Sequence, residues 1–569
     1  MSVGSREWIE AVADEGSWSS WDVAPSPPES AEYAATLERA RARTGVDESI
    51  VTGRATIGGT PVAVVASEFG FLGGSVGLAA SKRLIAAFER ARAERLPVVA
   101  STASGGTRMQ DGTAGFLAMR DITRAVLDYR AAGLPYLVHM RHPTTGGVLA
   151  SWGSYADDVS GEPGALIGFL GPRVAEGLGS SVPEPVQRAE TLLDEGLLDA
   201  VVDAAGFRAR AIAILSVVLR GGAGGGAAAA AAAAAVPAVA QSLAAGRPGA
   251  GAGGGDAVGS VLDAGSALGF PPGSPRSDAR AEGASGATPA EESWAAVESA
   301  AAPGRPALHE FLVALGVLGP VVERRRGSGC LVTAWASLEG EPVLVVGQDH
   351  GLGARTSVED LVLARQSFAI ADRLGASVVT VVDTPGAPLS EDGERHGVAR
   401  EVALTLAAGA ALRVPSTALL LGEGTGAGAM ALCGTDTIVA VDGAWLAPLP
   451  LEGAAALIHG DAGAVRRVAE AQRIGARALY GDGLLDGILG ADGSISLRRG
   501  ISTRSARLAE SVLRATAGMR SPGGRDGAPQ ETAGDADDAA FAASGLPGSD
   551  AVGGAPAERS TVPTAVAAA

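Results

Sequence analysis

Two glycine-rich turns are the residues in this chain best suited to do chemistry. A strand-like run, Tyr136–Met140, leads into Thr144-Thr145-Gly146-Gly147. A second, Thr417–Leu421, leads into Gly422-Glu423-Gly424-Thr425-Gly426-Ala427-Gly428. Small residues let a substrate carbonyl approach the main chain. N–H groups at the start of a following helix lack internal acceptors and point at that carbonyl. Two such donors make an oxyanion hole, and each is worth about 3–4 kcal/mol to a transition state. The earlier turns Ser104-Gly105-Gly106 and Thr384-Pro385-Gly386-Ala387 are placed to supply a second wall. Any one of these turns also reads as ordinary packing; four recurring in register do not.

Side-chain catalysts are scarce. His139, His142, His309, His350, His396 and His459 form no HExxH or HxH pair, and no G-x-S-x-G or GK[ST] motif occurs. Gly422, Gly424 and Ala427 satisfy a dinucleotide fingerprint, with Asp442 at the ribose spacing. The matching turn of the first half has no G-x-G, which weighs against it. Two oxyanion holes without an evident acid–base residue suit enolate chemistry in which the substrate supplies the base.

The elements that must position these turns are repeated. TPVAVVASEFG (Thr60–Gly70) matches EPVLVVGQDHG (Glu341–Gly351), and LPVVASTASGG (Leu96–Gly106) matches ASVVTVVDTPG (Ala376–Gly386). Pro61 and Pro342, Gly105 and Gly386, and Gly147 and Gly428 are each 281 apart. DEGLLDAVV at Asp194 echoes DGLLDGIL at Asp482. Short valine-rich runs alternate with amphipathic segments Lys82–Glu94 and Val358–Leu374, which predicts an α/β fold with mostly parallel sheets. Sites in such folds form where strand ends open into turns.

The rest of the chain bounds the reading. It has 569 residues, 47% of them hydrophobic, and a formal charge of -18. That charge argues against a nucleic-acid or anionic-membrane partner. The single lysine is Lys82, and the two cysteines, Cys330 and Cys433, make neither a disulfide framework nor a zinc site. No metal is expected. The first residues are polar and acidic, unlike a signal peptide, and no run suits a membrane span, so the cytoplasm is the expected location. The expected domains are 1–205, a low-complexity Ala/Gly/Pro linker at 206–306, 307–495, and a C-terminal helix with a disordered tail at 496–569.

The first block resembles the beta subunit of bacterial acetyl-CoA carboxylase carboxyltransferase. The resemblance rests on FGFLGGSVG (Phe69–Gly77), TASGGTRMQDG (Thr102–Gly112), HPTTGGVLASWGSYAD (His142–Asp157) and ALIGFLGPRV (Ala165–Val174). The second resembles the alpha subunit, through VVDTPGAP (Val381–Pro388), LLLGEGTGAGAMAL (Leu419–Leu432) and Gly481–Ile488. The resemblance implies two tandem crotonase-type domains. It also implies carboxybiotin delivered as substrate on a separate biotin carboxyl carrier protein, a separate biotin carboxylase chain, an acyl-CoA acceptor, and a homodimer or higher oligomer. By position, Gly146 and Gly147 would face the thioester oxygen, and Ala427 and Gly428 the biotin ureido oxygen. Gly73, Gly74, Gly105, Gly106, Gly386 and Gly426 would line the binding surfaces, and Arg83 would pair with CoA phosphates. The family's four-cysteine zinc ribbon is absent, PLSEDGE follows Ala387 in place of the usual stretch, and Ala427 stands where glycine is usual. A longer acyl-CoA acceptor, a non-catalytic paralogue, and a hydratase using Glu176 remain as alternatives.

Overall fold

Valine-rich runs that end in small residues form the central strands of two sheets. The computed structural model describes residues 3–28, 30–169, 171, 183–219, 289–319, 321–388, 390–461 and 463–519. Glu176, the low-complexity segment 220–288 and the tail after 519 lie outside the described residues.

In the first half, hairpin Ile50–Ile57/Thr60–Ser67 enters a parallel series Thr60–Ser67, Val98–Ser104, Tyr136–Thr145, Asp158–Gly161 and Ala200–Val201. In the second, hairpin Leu331–Leu338/Glu341–Gln348 enters Ser377–Thr384, Ser416–Thr425, Thr437–Val441 and Gly487–Leu489. Strands buried on both faces need no polar alternation, which is why Val98, Val99, Val378 and Val379 are all buried. The chain is thus two tandem α/β domains, as the resemblance to a crotonase-type duplication implies.

The duplication has a register that the sequence matches misplace by one residue. Pro61 pairs with Thr56 and Pro342 with Ser337, an offset of 281. Ten residues (68–77) then separate hairpin from helix Leu78–Glu94, but only nine (349–357) precede helix Val358–Leu374. Through those helices, the next two strands and their turns the offset is 280, so Gly106 answers Gly386 and Gly146 answers Gly426. The positive φ values agree: 107° and 101° for the first pair, 65° and 60° for the second.

The helices are started by different devices. Ser357 and Asp360 form a reciprocal capping box. Its counterpart begins at Gly77, with the Leu78 N–H donated 2.8 Å to Asp111.

Described structure also enters both ends of the expected linker. Helix Ala204–Val218 packs Phe207, Ala211 and Leu215 against Trp8 and Leu137. Helix Pro289–Ala301 packs Ala296 and Ala300 against Trp445 and Leu451. Helix Thr503–Ala517 covers the second sheet with Leu508, Val512 and Leu513.

The halves share a core. Phe116 and Leu117 of the first sit among Leu363, Phe368 and Leu406 of the second. Val398, Val402 and Ala403 of the second sit within the first-half cluster. Polar bonds cross the same seam: Tyr155 Oη donates to the Ala403 carbonyl at 2.6 Å, and Thr113 Oγ1 to the Leu446 carbonyl at 2.7 Å.

Candidate active site

The parallel strands point their C-terminal ends, and therefore all four glycine turns, toward the seam. There the turns line one cavity with about 800 Å³ of empty space. Gly105, Gly106, Thr107, Gly146 and Gly147 come from the first half; Pro385, Gly386, Ala387, Thr425, Gly426 and Ala427 come from the second. Met109, Phe116, Phe169, Leu449 and Leu457 add apolar wall. Arg355 is the one ionisable side chain among the lining residues.

The first turn of each half prepares its donor in the same way. The Gly106 N–H is consumed by Ser104 Oγ at 3.0 Å, and the Gly386 N–H by Thr384 Oγ1 at 3.1 Å. The Gly146 N–H is consumed by the Phe169 carbonyl at 3.0 Å. The next residues are left over. The N–H groups of Thr107 and Gly147, and of Ala387 and Ala427, have no acceptor among the described residues. Thr107 and Ala387 are 280 apart, as are Gly147 and Ala427. Only Ala387 of the four is buried and the others are half-buried at the cavity wall, so two equivalent pairs of unpaired donors facing one cavity offer a place for an external oxygen. Glycine is required at Gly106, where φ is 107° and an added Cβ would stand 3.3 Å from the Gly147 nitrogen; at Gly147 an added Cβ would press on Thr107 Oγ1 at 2.8 Å.

The structure redistributes the expected residues. Gly105, Gly106, Gly146, Gly147, Gly386, Gly426 and Ala427 come together at the cavity. Gly428 is not a lining residue. Its Cβ position is 2.8 Å from the Ala387 nitrogen, and its carbonyl accepts from Gln348 Nε2 at 2.8 Å, so it packs one turn against the other. With the register at 280, its counterpart is Val148, and Ala387 takes its expected place as a donor. Gly73 and Gly74 stand behind the wall: the Gly73 carbonyl accepts from the Gly105 N–H at 2.8 Å, and a Cβ on Gly74 would lie 2.0 Å from the Ala103 oxygen.

Arg83 is corrected outright. It is buried, with its guanidinium 3.0 Å from both Asp47 oxygens, 3.3 Å from Asp22, and 2.8 Å from the Val23 and Ile50 carbonyls. Satisfied donors of this kind have nothing left for a phosphate; Arg83 ties the N-terminal segment to the helix. The dinucleotide reading fails similarly. Gly422 packs on Arg305 and Asp383, and Asp442 is paired with Arg477, with one contact at 2.6 Å.

Residues that motif reasoning missed hold the turns in place. Arg108, buried beneath the Gly106–Thr107 turn, donates 2.9 Å and 2.5 Å to Glu48 and 2.6 Å to the Ser75 carbonyl. In the second half, fully buried Asp383 accepts from Arg305 through two 2.7 Å bonds, from His350 Nδ1 at 2.7 Å, and from the Glu423 N–H at 3.1 Å. Burial alone would raise the Asp383 pKa; His350 and Arg305 outweigh it and hold the carboxyl below the usual range. Glu423 is pushed upward by burial, partly offset by the Thr425 hydroxyl 2.7 Å away. The repeat with its correct offset would have revealed Thr107 and Ala387. The braces lie far from the turns in sequence and give no such signal.

Among the described residues no group of His, Cys, Asp or Glu is arranged to hold a metal, and no helix is long and apolar enough to cross a membrane.

Both halves of the chain are similar to known proteins. Residues 5–191 match the family described as Carboxyl transferase domain, and residues 292–521 the family described as Acetyl co-enzyme A carboxylase carboxyltransferase-like. The chain is 38% identical over 487 residues to a probable biotin-dependent acyl-coenzyme A carboxylase beta3 subunit of Mycobacterium tuberculosis, covering 84% of this chain and 87% of that one. It is 34% identical over 471 residues to the acetyl-coenzyme A carboxylase carboxyl transferase subunits beta/alpha of Salinispora arenicola, covering 80% and 76%. Among solved structures, transcarboxylase 12S aligns at 18% identity over 94% of this chain and 92% of that one, with a TM-score of 0.32.

Proposed function

The chain belongs to the biotin-dependent acyl-CoA carboxyltransferases, with beta-like and alpha-like halves fused, and from that premise we propose that it carboxylates acetyl-CoA to malonyl-CoA for fatty acid synthesis. The observation that carries the reading is the pair of equivalent, unsatisfied N–H couples on one cavity. Thr107 and Gly147 hold the thioester oxygen of the acyl-CoA. Ala387 and Ala427 hold the ureido oxygen of carboxybiotin, which arrives as substrate on a carrier protein. Each couple binds an oxygen more tightly as it gains negative charge, which favours the transition state over the ground state.

Carboxybiotin supplies CO2 and, once decarboxylated, the base for the α-carbon; this chain therefore needs no general base of its own. That agrees with a wall whose one ionisable side chain, Arg355, is a cation. The paired glycines Gly106 and Gly386, with Cβ positions 3.3 Å and 3.2 Å from the neighbouring turn, leave the flat space a ureido ring or thioester needs. Both couples line a cavity of one chain, which supports a site completed within a protomer. The reading includes a homodimer or larger assembly and separate carrier and carboxylase chains as partners.

The test is carboxyl transfer in both directions: malonyl-CoA and other carboxyacyl-CoA esters are offered with free biotin as acceptor in the reverse direction, and acyl-CoA esters of increasing length with free carboxybiotin as donor in the forward direction. Malonyl-CoA turnover to carboxybiotin is expected; its absence with every ester would defeat the reading. A second reading, a longer acyl acceptor, is favoured by the apolar wall of Met109, Phe116, Phe169, Leu449 and Leu457, and the same panel decides between them.

A further inference from the structure

The stretch PLSEDGE, where the chain departs from the alpha-subunit pattern, leads directly into a contact that reaches the opposite half. Short helix Glu391–Arg395 follows the Pro385–Ala387 turn of the carboxybiotin side. From it, Glu394 crosses the seam. Both its carboxylate oxygens accept the Phe169 N–H at 2.9 Å, and Oε1 also accepts from Gln187 Nε2 at 2.7 Å. Phe169 continues the strand pairing in which Thr145 lies beside Gly168, and its carbonyl accepts the Gly146 N–H at 3.0 Å. Gly146 is the left-handed residue that aims the next N–H, that of Gly147, at the cavity. A carboxylate of the second half therefore holds, through one residue, the turn that makes the first half's hole.

A main-chain N–H bonded to a carboxylate is held more firmly than one bonded to a neutral carbonyl. The second half has no equivalent clamp by position: Gly168 beside Thr145 answers Ala447 beside Thr425, so the residue answering Phe169 is Pro448, which has no N–H to donate. The clamp is one-sided and runs from the biotin-side loop to the acyl-side hole.

We infer that Glu394 is a positioning residue for the thioester hole: it sets the Gly146–Gly147 turn from across the seam, so that the acyl-side hole is in register only when the second half is docked. This rests on the proposed assignment of the two holes. Displacement of an oxyanion donor by about 1 Å lowers turnover on the order of 100-fold without removing any substrate contact.

The experiment uses the full chain with Glu394→Ala, Glu394→Gln and Glu394→Asp. Three things are measured: carboxyl transfer, the acyl-CoA KM, and decarboxylation of free carboxybiotin without acyl-CoA, which needs only the biotin-side hole. Glu394→Ala is expected to lower kcat for transfer about 100-fold, to move KM less than about threefold, and to leave carboxybiotin decarboxylation near wild type. Glu394→Gln, which keeps one acceptor oxygen, should recover part of the loss. Equal loss of transfer and decarboxylation, or wild-type transfer by Glu394→Ala, would overturn the inference. Amide exchange provides a reading independent of turnover: Glu394→Ala should lose protection at Phe169 and Gly146 while the Asp383 side stays protected. Unchanged exchange at both amides overturns the clamp. If the wild-type chain transfers carboxyl to no acyl-CoA, the functional reading fails, and the exchange result still decides the clamp.

Discussion

The two glycine turns have the same main-chain design and different supports. In the second half the turn is fastened from within. Asp383, at the end of its neighbouring strand, gathers Arg305, His350 and the Glu423 N–H into one buried cluster at the turn's entrance. The position answering Asp383 in the first half is Ala103, so no such cluster forms there. The first-half turn is fastened instead by main-chain pairing to Phe169 and, across the seam, by Glu394. A local ionic brace keeps one hole formed regardless of the other domain; a long-range brace makes the other depend on docking. Duplication preserved the donors because their geometry comes from the strand–turn backbone. The supports were free to diverge, because any group that fixes the backbone will serve.

The comparison breaks most visibly at the donors themselves. Gly147→Val and Ala427→Val should each lower carboxyl transfer by roughly 100- to 1000-fold while the proteins remain folded by circular dichroism. Only Ala427→Val should also abolish decarboxylation of free carboxybiotin. If both variants lose it, the holes are not divided between substrates as assigned. Mixing the two variants under subunit exchange should restore nothing, because each site lies within one chain; recovered activity would show sites completed between protomers.

The local brace should be worth more to stability than its exposed neighbours. Asp383→Asn leaves Arg305 without its counter-charge at a site where both side chains are nearly buried. Urea denaturation should show a loss of about 3 kcal/mol. A loss below about 1 kcal/mol would mean that the cluster does not hold the turn.

His139, on the strand leading to the first turn, supplies a pH test. Burial lowers its pKa from the usual value to about 4. In the folded state it accepts the Trp8 indole N–H at 3.0 Å through Nδ1 and donates Nε2–H to the Val202 carbonyl at 2.9 Å. The unfolded chain takes up the proton first, near pH 6.5, so acid favours unfolding. Stability should be fully present above that value and fall by about 2–3 kcal/mol as pH drops toward 4. His139→Gln should flatten this part of the profile; an unchanged slope would assign it to other groups.

Arg83 gives the smallest effect and the sharpest contrast with motif reasoning. Arg83→Met should destabilise the first half by about 1–2 kcal/mol, by leaving Asp22 and Asp47 without their shared partner. The acyl-CoA KM should stay within about twofold. A large KM increase in a protein of normal stability would restore the phosphate role that its burial argues against.

Much of this was legible in the linear chain. Runs such as Val378–Val382 and the glycines that follow them encode strands and left-handed turns locally, through side-chain shape and the freedom of glycine, so the duplicated α/β fold and the turns could be read directly. The family resemblance rests on those same local motifs. What the sequence alone determined was therefore which backbone shapes occur and in what order. It did not determine the register of 280, because the single-residue difference lies in the irregular segments before the helices, where no periodicity marks it. For that reason the sequence match sets Gly428, and not Ala427, opposite Gly147. Nor could it show that Arg83 is spent on Asp22 and Asp47, or that Glu394 reaches Phe169 some 225 residues away. Hydrogen bonds and ion pairs depend on where side chains arrive in space, and for groups brought together across two sheets only the packed tertiary structure decides that.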